Sequence, residues 1–586
     1  MPALEGGAQP QSRAKPDRTM DLPNSETVPE TSANLSILRI GSVRVHLAWR
    51  CRGSEGFFPL GKTLRRRPVG TAPNPLTRIV ATVIMARVIV CCNTLLCPLR
   101  DELQGDWNMK HGSQCGSLAV LSEADLQRIH EAGLALLENP GVLCESDLIL
   151  GILEKEGAQV DRNSSVIHIS PGMVERALES CPKSFVMHGL DPEMDLLVES
   201  GRVFYGMGGS SEPFFWDYET GRPRRPTRVD MVACTRVGHS LPNMDFIITL
   251  CQSGDMPTDQ IFFHDTDAIL RNTTKPIVFS VLHRRHATKT IGMLAAACGG
   301  ETELRRRPLG MGFVTPVSPM VFPRLIEGVV DAVDCGIPIL YAPGPMMSGT
   351  GPATVAGLLA QTIAESLFGL VLVQTIKPGA PFVFKMDSDV MDPVTGQCTY
   401  GSPEQALGKA ALAQMGRFYA VPTFTMGGGA EAKLPDSEAA AQAMMGMLIN
   451  GLSGITLSQA LGTLASGLYG SVEQLVVCDE IAHMVKRVLS GFSVSDDTLA
   501  LDVIRDVGHG GDFMTESHTL SHFRSELFFP VLFKRQTIEK WLSRGAKPMV
   551  DVAHERVEEI LAQAGPVPLP VGADAALDRA LREATA

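Results

Sequence analysis

Residues 396–436, GQCTYGSPEQALGKAALAQMGRFYAVPTFTMGGGAEAKLPD, decide the predicted fold. The turn YGSPE at 400–404 begins a helix, and a buried strand follows that helix. The strand ends in three glycines, after which come Glu431, Lys433 and Asp436. A strand that ends in glycines and charged residues is typical of an α/β barrel, in which the chemistry lies at the carboxyl ends of the strands.

Apolar runs outside this stretch predict the rest of the barrel. Eight candidate strands cover residues 203–205, 246–250, 277–281, 309–314, 337–341, 382–384, 421–425 and 455–457. Helical patterns separate most of them, for example at 325–333, 355–373, 404–417, 439–449 and 472–488. Alternating strands and helices favour a parallel sheet, and eight strands favour closure. We therefore predict an α/β fold, a TIM-type (β/α)8 barrel over residues 201–490.

The flanking segments differ from the barrel in pattern. Residues 109–200 are expected to form an N-terminal helical cap, whose first helix has a capping-box spacing at Ser122 and Asp125. Residues 491–586 are expected to form a C-terminal helical region. Residues 1–108 are rich in Pro, Ser and Arg, and are interpreted as a poorly structured extension or as the result of a misplaced start codon, with Met109 as the alternative start.

Composition excludes several classes of protein. The chain has 586 residues, 44% of them hydrophobic, and a net charge of -12, which indicates a soluble globular protein without a basic surface for nucleic acid. Its 13 cysteines show no paired CxxC elements and no disulfide framework, so we expect reduced thiols in the cytoplasm. The apolar segment 79–96 contains Arg87 and is a weak candidate for a membrane span.

The glycine and histidine motifs do not indicate a nucleotide or a metal. The glycines at 206–209, 349–351 and 427–429 lack the partners of a dinucleotide fingerprint or a phosphate loop. His283 and His286 form one candidate pair, and His509, His518 and His522 lie later in the chain. His518 and His522 have helical i, i+4 spacing without the Glu of HExxH, so capping or surface roles are favoured and no metal site is predicted.

The loops that follow the predicted strands are rich in Gly, Ser, Thr and Met. Glycine allows a planar ligand to approach the backbone, and Met gives apolar contact without charge. Barrel loops also need glycines for turning, so no single loop decides between these readings. Together the loops favour a wide mouth for a large ligand.

Several short segments together carry a family resemblance. They are GMGG at 206–209, WDYETG at 216–221, LPNMD at 241–245, TGPAT at 350–354, YGSPE at 400–404, AKLPD at 432–436, SGL at 466–468 with Glu473, and DEI at 479–481. Their order and spacing resemble the trimethylamine methyltransferase family. The resemblance covers the chain from about Leu121 onward.

The resemblance implies that a methyl group moves from an amine nitrogen to the Co(I) of a corrinoid, which a separate small protein carries. Family members that act on trimethylamine use pyrrolysine, and this chain has none. The expected substrate is therefore a quaternary amine, with glycine betaine the first choice. A homo-oligomer is left open, and neither nucleic acid nor a membrane is expected as a partner.

Candidate site residues follow from their expected places at the barrel mouth. The catalytic candidates are Tyr400, Glu404, Glu431 and Lys433, and the substrate-binding candidates are His283, Tyr341, Phe384 and Asp387. The candidates for corrinoid contact are Gly349, Gly351, Gly427, Gly428 and Gly429. Aromatic rings suit a quaternary cation, carboxylates its charge, and Lys433 or His283 a substrate carboxylate. The alternative is structural: Glu404 and Asp436 are also placed to cap helices.

Two rival functions stay open at this point. A barrel of this kind can bind a small molecule without reacting, since fold does not fix function. It can also be a lyase or aldolase, for which Lys385 beside Asp387 is the candidate Schiff-base lysine.

Overall fold

Eight parallel strands form a closed barrel in the computed structural model, which describes residues 113–586 except 115, 117, 210, 211 and 386. The strands are β1 (Arg202–Met207), β2 (Phe246–Ile247), β3 (Val278–Ser280), β4 (Met311–Val314), β5 (Ile339–Tyr341), β6 (Phe382–Lys385), β7 (Thr423–Met426) and β8 (Leu457–Leu461). Each predicted strand is found. The expectations for residues 1–108, and for the apolar segment 79–96, lie outside the described residues.

The ring of strands closes in two different ways. β8 pairs in parallel with β1, which joins the two ends of the barrel. β2 and β3 are joined by one isolated bridge between Ile247 and Ile277. All other neighbours in the ring, from β3 to β8 and from β1 to β2, are paired in parallel. The predicted (β/α)8 barrel is confirmed.

A helix follows each strand and covers the outside of the barrel. The helices are α1 (Arg228–Ser240), α2 (Ile261–Leu270), α3 (Arg284–Cys298), α4 (Val329–Cys335), α5 (Val355–Ile376), α6 (Pro403–Tyr419), α7 (Ser437–Ser453) and α8 (Val472–Leu489). A short helix, Glu301–Arg306, follows α3, and 3₁₀ turns occur at Pro192–Met194, Arg324–Ile326 and Ala465–Gly467. The predicted helix at 325–333 is thus a 3₁₀ turn followed by α4.

Alternation along the strands separates two cores. Phe246, Phe313, Leu340 and Phe424 belong to the cluster inside the barrel, which is filled by side chains. The larger cluster lies between the strands and the helices. Because the interior is filled, polar chemistry is confined to the ends of the strands.

The segment before the barrel is mixed rather than helical. It holds the three expected helices, Glu123–Glu138, Asp147–Lys155 and Pro171–Ser180, and strands at Val142–Cys144, Gln159–Asp161 and Val166–His168. These strands form one sheet with Val321–Phe322, which pairs with Val142–Cys144. The predicted capping box of Ser122 and Asp125 is present. The first helix packs on α5, where a Cβ at Gly133 would lie 2.9 Å from Ile363 Cγ2.

A hairpin just before β1 closes the amino end of the barrel. Its strands, Ser184–Met187 and Leu196–Glu199, are antiparallel. Met187 and Val198 belong to the interior cluster, and the Gly310 N–H donates to His188 O at 2.9 Å. The segment predicted as a cap therefore supports the amino end of the barrel, opposite the carboxyl ends of the strands.

Two small sheets line the carboxyl end of the barrel. One combines Met346–Met347, Asp389–Met391 and Cys398–Thr399, and the other combines Phe214–Asp217, Arg222–Arg224, Thr463–Leu464 and Tyr469–Gly470. A further short strand, Ser113–Gln114, is antiparallel to β1. The small sheets build the rim from loops that follow β1, β5, β6 and β8.

The chain after α8 is helical, as predicted. Its helices are Asp496–Leu499, Leu501–Val507, Ser517–Glu526, Ile538–Ser543, Met549–Gln563 and Ala573–Thr585. The helix Met549–Gln563 is fixed to the barrel by His554, whose ring stacks on Tyr218 at 3.7 Å and whose Nδ1 lies 2.9 Å from Glu473 Oε1.

α5 is long and apolar enough to cross a membrane by length and composition alone, and 78% of its most apolar window is buried within the protein. That burial is what a core helix needs, because its residues contact the barrel on one side and the helix Glu123–Glu138 on the other.

Candidate active site

A buried ion pair lies at the carboxyl end of β6. Lys385 is the last residue of that strand, and its Nζ contacts the carboxylate of Asp387. The other carboxylate oxygen, Oδ1, accepts from the Met426 N–H at 3.1 Å and from the Thr425 hydroxyl. Burial would raise the pKa of Asp387, but the neighbouring Lys385 outweighs it and holds the pKa below its usual value. Asp387 therefore stays ionised.

The first two turns of α6 extend this ion pair into a network. Lys409 Nζ donates to Gln405 Oε1 at 2.9 Å, and Gln405 Nε2 donates to Asp389 Oδ1 at 2.9 Å. Gln405 and Lys409 are four residues apart, so both point from one face of the helix. Burial and the nearby Asp387 raise the pKa of Asp389 to about 6. We call Lys385, Asp387, Asp389, Gln405 and Lys409 the charged cluster.

Tyr400 lies over two glycines next to this cluster. A Cβ at Gly429 would be 3.2 Å from Tyr400 Cδ2, and a Cβ at Gly467 would be 3.1 Å from Tyr400 Oη. Burial, followed by the charge of Asp389, raises the pKa of Tyr400, so its hydroxyl stays protonated. The ring is thus at the mouth, as predicted.

A third carboxylate reaches the mouth from the loop after β1. Glu212 is 2% exposed, and its Oε1 accepts from the Thr463 hydroxyl at 2.6 Å. Its charge also acts on Tyr400. The mouth therefore combines Glu212 with the two carboxylates and two lysines of the charged cluster, an arrangement that can hold a small cation.

Two predicted aromatic contacts lie elsewhere. Tyr341 is 1% exposed and faces α5, where a Cβ at Gly369 would be 2.2 Å from its ring. Phe384 is fully buried beside Phe382 and Tyr419. Both side chains point out of the barrel, because residues on a strand alternate between its two faces. The expectation that they contact a ligand at the mouth is corrected on this ground.

His283 and Glu404 occupy helix starts. The Nδ1 of His283 accepts from the His286 N–H at 3.2 Å and so caps α3. Glu404 is exposed in the first turn of α6, where a negative charge favours the helix dipole. Glu404 thus lies where the structural alternative, a role at the start of a helix, places it. His283 has a capping role.

Glu431 and Lys433 lie on the rim beside α7. Glu431 Oε1 accepts from Gln442 Nε2 at 3.2 Å, and Lys433 Nζ donates to the backbone oxygen of Glu431 at 2.6 Å. Lys433 is exposed, whereas Glu431 is partly buried. Both are close to the mouth, and neither joins the charged cluster.

The five predicted glycine positions divide into two groups. Gly427 and Gly428 allow β7 and β8 to approach each other, since a Cβ would lie 2.0 Å from Ser458 Oγ at one and 2.8 Å from Leu461 Cα at the other. Gly429 faces Tyr400. Gly349 and Gly351 lie in the loop after β5, with Gly349 exposed. The loop thus offers backbone to an external ligand, whereas Gly427 and Gly428 serve packing.

A second polar site lies on the other side of the barrel, between β2 and β3. A cavity of about 20 Å³ there is lined by Asp265 from α2 and His286 from α3. Asp265 Oδ2 and both ring nitrogens of His286 have no hydrogen-bond partner among the described residues. Burial raises the pKa of Asp265 to about 7 and lowers the pKa of His286 to about 4. We call this the neutral pocket.

Sequence reasoning missed most of these groups. Gln405 and Lys409 had a usable signal, since they follow the YGSPE turn with i, i+4 spacing. Asp389 lay within a loop that was expected at the mouth. Asp265 carried no signal, because it lies in an apolar helix whose position across from His286 depends on the fold.

The chain resembles known methyltransferases along most of its length. A family model described as trimethylamine methyltransferase (MTTB) matches residues 103–585. The trimethylamine methyltransferase MttB of Desulfitobacterium hafniense is 32% identical over 454 residues, which cover 77% of this chain and 91% of that protein. The glycine betaine methyltransferase of Desulfitobacterium hafniense is 29% identical over 464 residues, which cover 78% and 95%.

Solved structures include a more distant similarity. The crystal structure of the Methanosarcina barkeri monomethylamine methyltransferase covers 79% of this chain and 98% of its own, with 12% identity and a TM-score of 0.39. A TM-score at this level adds nothing to the barrel described above.

Proposed function

This chain belongs to the trimethylamine methyltransferase family and is a methyltransferase, and from this we propose that it moves a methyl group from a small quaternary amine to a corrinoid carried by a separate protein. Glycine betaine is the first candidate substrate, and one relative bears that name. The absence of pyrrolysine from the sequence supports a quaternary amine over trimethylamine. We expect the reaction to take place in the cytoplasm.

One observation carries the substrate proposal, namely the charges at the mouth. Asp387, Asp389 and Glu212 outnumber Lys385 and Lys409, so the mouth attracts a cation once Asp389 is ionised. The ring of Tyr400 offers a face of the kind that quaternary ammonium groups contact. In a betaine, the carboxylate is then directed toward a lysine of the charged cluster.

The chain's own task in this reaction is positioning. A Co(I) corrinoid supplies a strong nucleophile, and the chemistry of the displacement is the cofactor's. The nitrogen keeps both electrons of the broken bond, so a quaternary amine leaves as a neutral tertiary amine and needs no proton. The side chains at the mouth have to orient the N–CH₃ bond outward and exclude water.

The loop after β5 fits contact with a large planar acceptor. A Cβ at Gly349 would lie 3.3 Å from Met346 Cε and 3.4 Å from Met391 Sδ, so the exposed backbone is flanked by two soft apolar side chains. The acceptor would approach from outside, at Gly349 and Gly351. Gly427 and Gly428 are no longer proposed for this contact, because β8 covers them.

The two rival functions differ in their support. A Schiff-base lysine has to lose its proton, and its pKa is lowered for that purpose. Burial would lower the pKa of Lys385, but Asp387 raises it above its usual value, which opposes the lyase or aldolase reading. A methyl-transfer assay distinguishes an enzyme from a barrel that binds a small molecule without reacting.

The deciding measurement is methyl transfer followed by absorption. The purified protein is mixed with Co(I) cobalamin and, separately, with glycine betaine, other quaternary amines and trimethylamine. We expect conversion to methyl-Co(III) with glycine betaine or another quaternary amine. A matched variant is Asp389→Asn, which keeps the size of the side chain, removes its charge and should react with a higher KM than the wild type.

Other outcomes are equally informative. Reaction with trimethylamine alone would overturn the substrate proposal and leave the methyltransferase assignment in place. Affinity for an amine by calorimetry, with no methyl transfer even after a corrinoid protein is added, would favour the binding barrel.

A further inference from the structure

An extended arm leaves the barrel after α8 and returns about forty residues later. We define the arm as residues 492–530. At its start, Arg487 donates to Gly491 O at 2.8 Å, and at its end the Val531 N–H donates to Glu480 Oε2 at 3.1 Å.

Near its end the arm also contacts α8 through Glu526, whose backbone oxygen accepts from Arg487 Nη2 at 3.0 Å, and through Phe528, whose ring lies 4.5 Å from that of His483. Both ends of the arm are thus held to α8, and the approach of its first helix to its third depends on contacts within the arm.

The arm has no apolar core of its own among the described residues. Its three helices, Asp496–Leu499, Leu501–Val507 and Ser517–Glu526, contain no buried residue. Large apolar side chains are exposed, for example Phe492 at 82% and Leu520 at 63%. A segment that buries so little apolar surface needs another source of order, such as a disulfide, a metal ion or a partner.

Three metal-ligating side chains meet where the first and third arm helices approach. The ligand atoms of Asp497, His518 and His522 all lie within 4.8 Å of one another. His522 Nε2 is 3.1 Å from Asp497 Oδ2, and His518 Nε2 is 3.0 Å from the backbone oxygen of Asp497. The two imidazole rings are 4.2 Å apart between centroids.

The type and number of ligands favour a particular class of ion. Two imidazoles and one carboxylate match the ligand set of an open zinc site, in which three residues bind the ion and water takes the fourth position. Imidazole nitrogen suits Zn²⁺, Cu²⁺ and Ni²⁺, whereas Ca²⁺ and Mg²⁺ prefer oxygen ligands. Histidines four residues apart on one helix present both rings to the same side.

We propose that Asp497, His518 and His522 bind one Zn²⁺ ion, which fastens the first helix of the arm to the third. Binding replaces the two hydrogen bonds to Asp497 with metal ligation. The ion joins the two helices while water takes its fourth position, and the site is separate from the charged cluster at the barrel mouth. Residues 497 and 518 are far apart in sequence, so spacing alone gives no sign of the third ligand.

The alternative to a metal is an ordinary pair between His522 and Asp497. That pair needs no added ion and is left intact by a chelator, whereas metal ligation is lost when the ion is removed. The two readings therefore predict different responses of arm order to a chelator.

The test is metal binding by the full-length protein. The purified chain is stripped with a chelator and titrated with Zn²⁺ alone in competition with a chromophoric chelator, and bound zinc is counted by mass spectrometry. We expect one tightly bound equivalent. His518→Ala and His522→Ala should each lower the affinity at least tenfold, whereas His509→Ala, an exposed histidine in the same arm, should keep it.

Arm order gives a second readout that is independent of activity. Hydrogen exchange across residues 492–530 should slow on adding Zn²⁺ at pH 7.5 in the wild type and in His509→Ala, but not in His518→Ala. The proposal is overturned if the wild type binds no zinc, if His518→Ala and His522→Ala keep the affinity, or if hydrogen exchange in the wild-type arm is no slower with Zn²⁺ than after treatment with a chelator. Zinc held only by cysteines would appear as binding that is unchanged in both histidine variants.

Discussion

The charged cluster and the neutral pocket bury ionisable groups on two sides of the same barrel in opposite ways. Around β6, Lys385 and Asp387 stay charged because each compensates the other. Between β2 and β3, neither Asp265 nor His286 forms an ion pair within the part of the chain that the structure describes, so burial favours the uncharged form of both. The difference teaches that burial alone does not decide whether an ionisable side chain is charged. A nearby group of opposite charge decides it.

The largest expected effect comes from removing one charge of the cluster. Asp387→Asn leaves Lys385 buried without its counter-ion and should lower the free energy of unfolding by about 3–5 kcal/mol at pH 7.5. Urea unfolding followed by circular dichroism measures it. A loss below about 1 kcal/mol would show that the pair is well solvated, against the compensation described here.

In the neutral pocket, Asp265→Asn should change how the free energy of unfolding depends on pH. Asp265 ionises near its usual value of about 3.9 when unfolded and at about 7 when folded. The folded state therefore keeps a proton that the unfolded state loses, and wild-type stability falls as pH rises between these values. Asp265→Asn lacks this loss.

The gain of Asp265→Asn over the wild type should thus increase by about 1.4 kcal/mol per pH unit between pH 5 and 6.5 and level off above pH 7. Urea titrations of both proteins across this range give the slope. A flat difference would mean that Asp265 is ionised in the folded protein, and the contrast with the charged cluster would disappear.

A smaller effect is expected on substrate binding. The pKa of Asp389 is about 6, so its negative charge appears between pH 5 and pH 7. Under the proposed function, KM for a quaternary amine should fall roughly tenfold over that range, in step with the ionised fraction. Asp389→Asn should give a higher KM that no longer varies with pH. A wild-type KM without pH dependence would remove Asp389 from the proposed site.

The smallest effect is expected at Glu404, which is exposed and belongs to neither the charged cluster nor the neutral pocket. Glu404→Ala removes an exposed charge from the first turn of α6 and should change the free energy of unfolding by about 0.5 kcal/mol or less. Methyl transfer should keep its wild-type KM. A tenfold rise in KM would return Glu404 to the substrate site.

The sequence predicted the barrel because the period of its apolar residues is a local property. Every strand appears within a few residues of its expected place, and the capping box at Ser122 is present. The hairpin that closes the amino end was missed, because Ser184–Met187 and Leu196–Glu199 are short and gain their role only by packing under the barrel. The boundaries at residues 109, 201 and 491 stay predictions.

The candidate site was predicted less well, for a reason that Tyr341 and Phe384 illustrate. Strand position says that a residue is near the mouth, but the side of the strand decides whether it reaches the mouth. Asp387 and Tyr400 lie there as expected, whereas Lys409 and Glu212 come from separate segments that only the fold brings together. The roles of all these residues remain proposals.

The uneven closure of the barrel has a consequence for how the protein opens. The first and last strands are held by several paired residues, whereas β2 and β3 share one bridge between Ile247 and Ile277. Local unfolding starts where few backbone hydrogen bonds hold neighbours together. The most weakly paired neighbours in this barrel are therefore β2 and β3, beside the neutral pocket, and not the first and last strands. Transient separation of β2 from β3 would admit solvent to Asp265 while β1 and β8 stay paired.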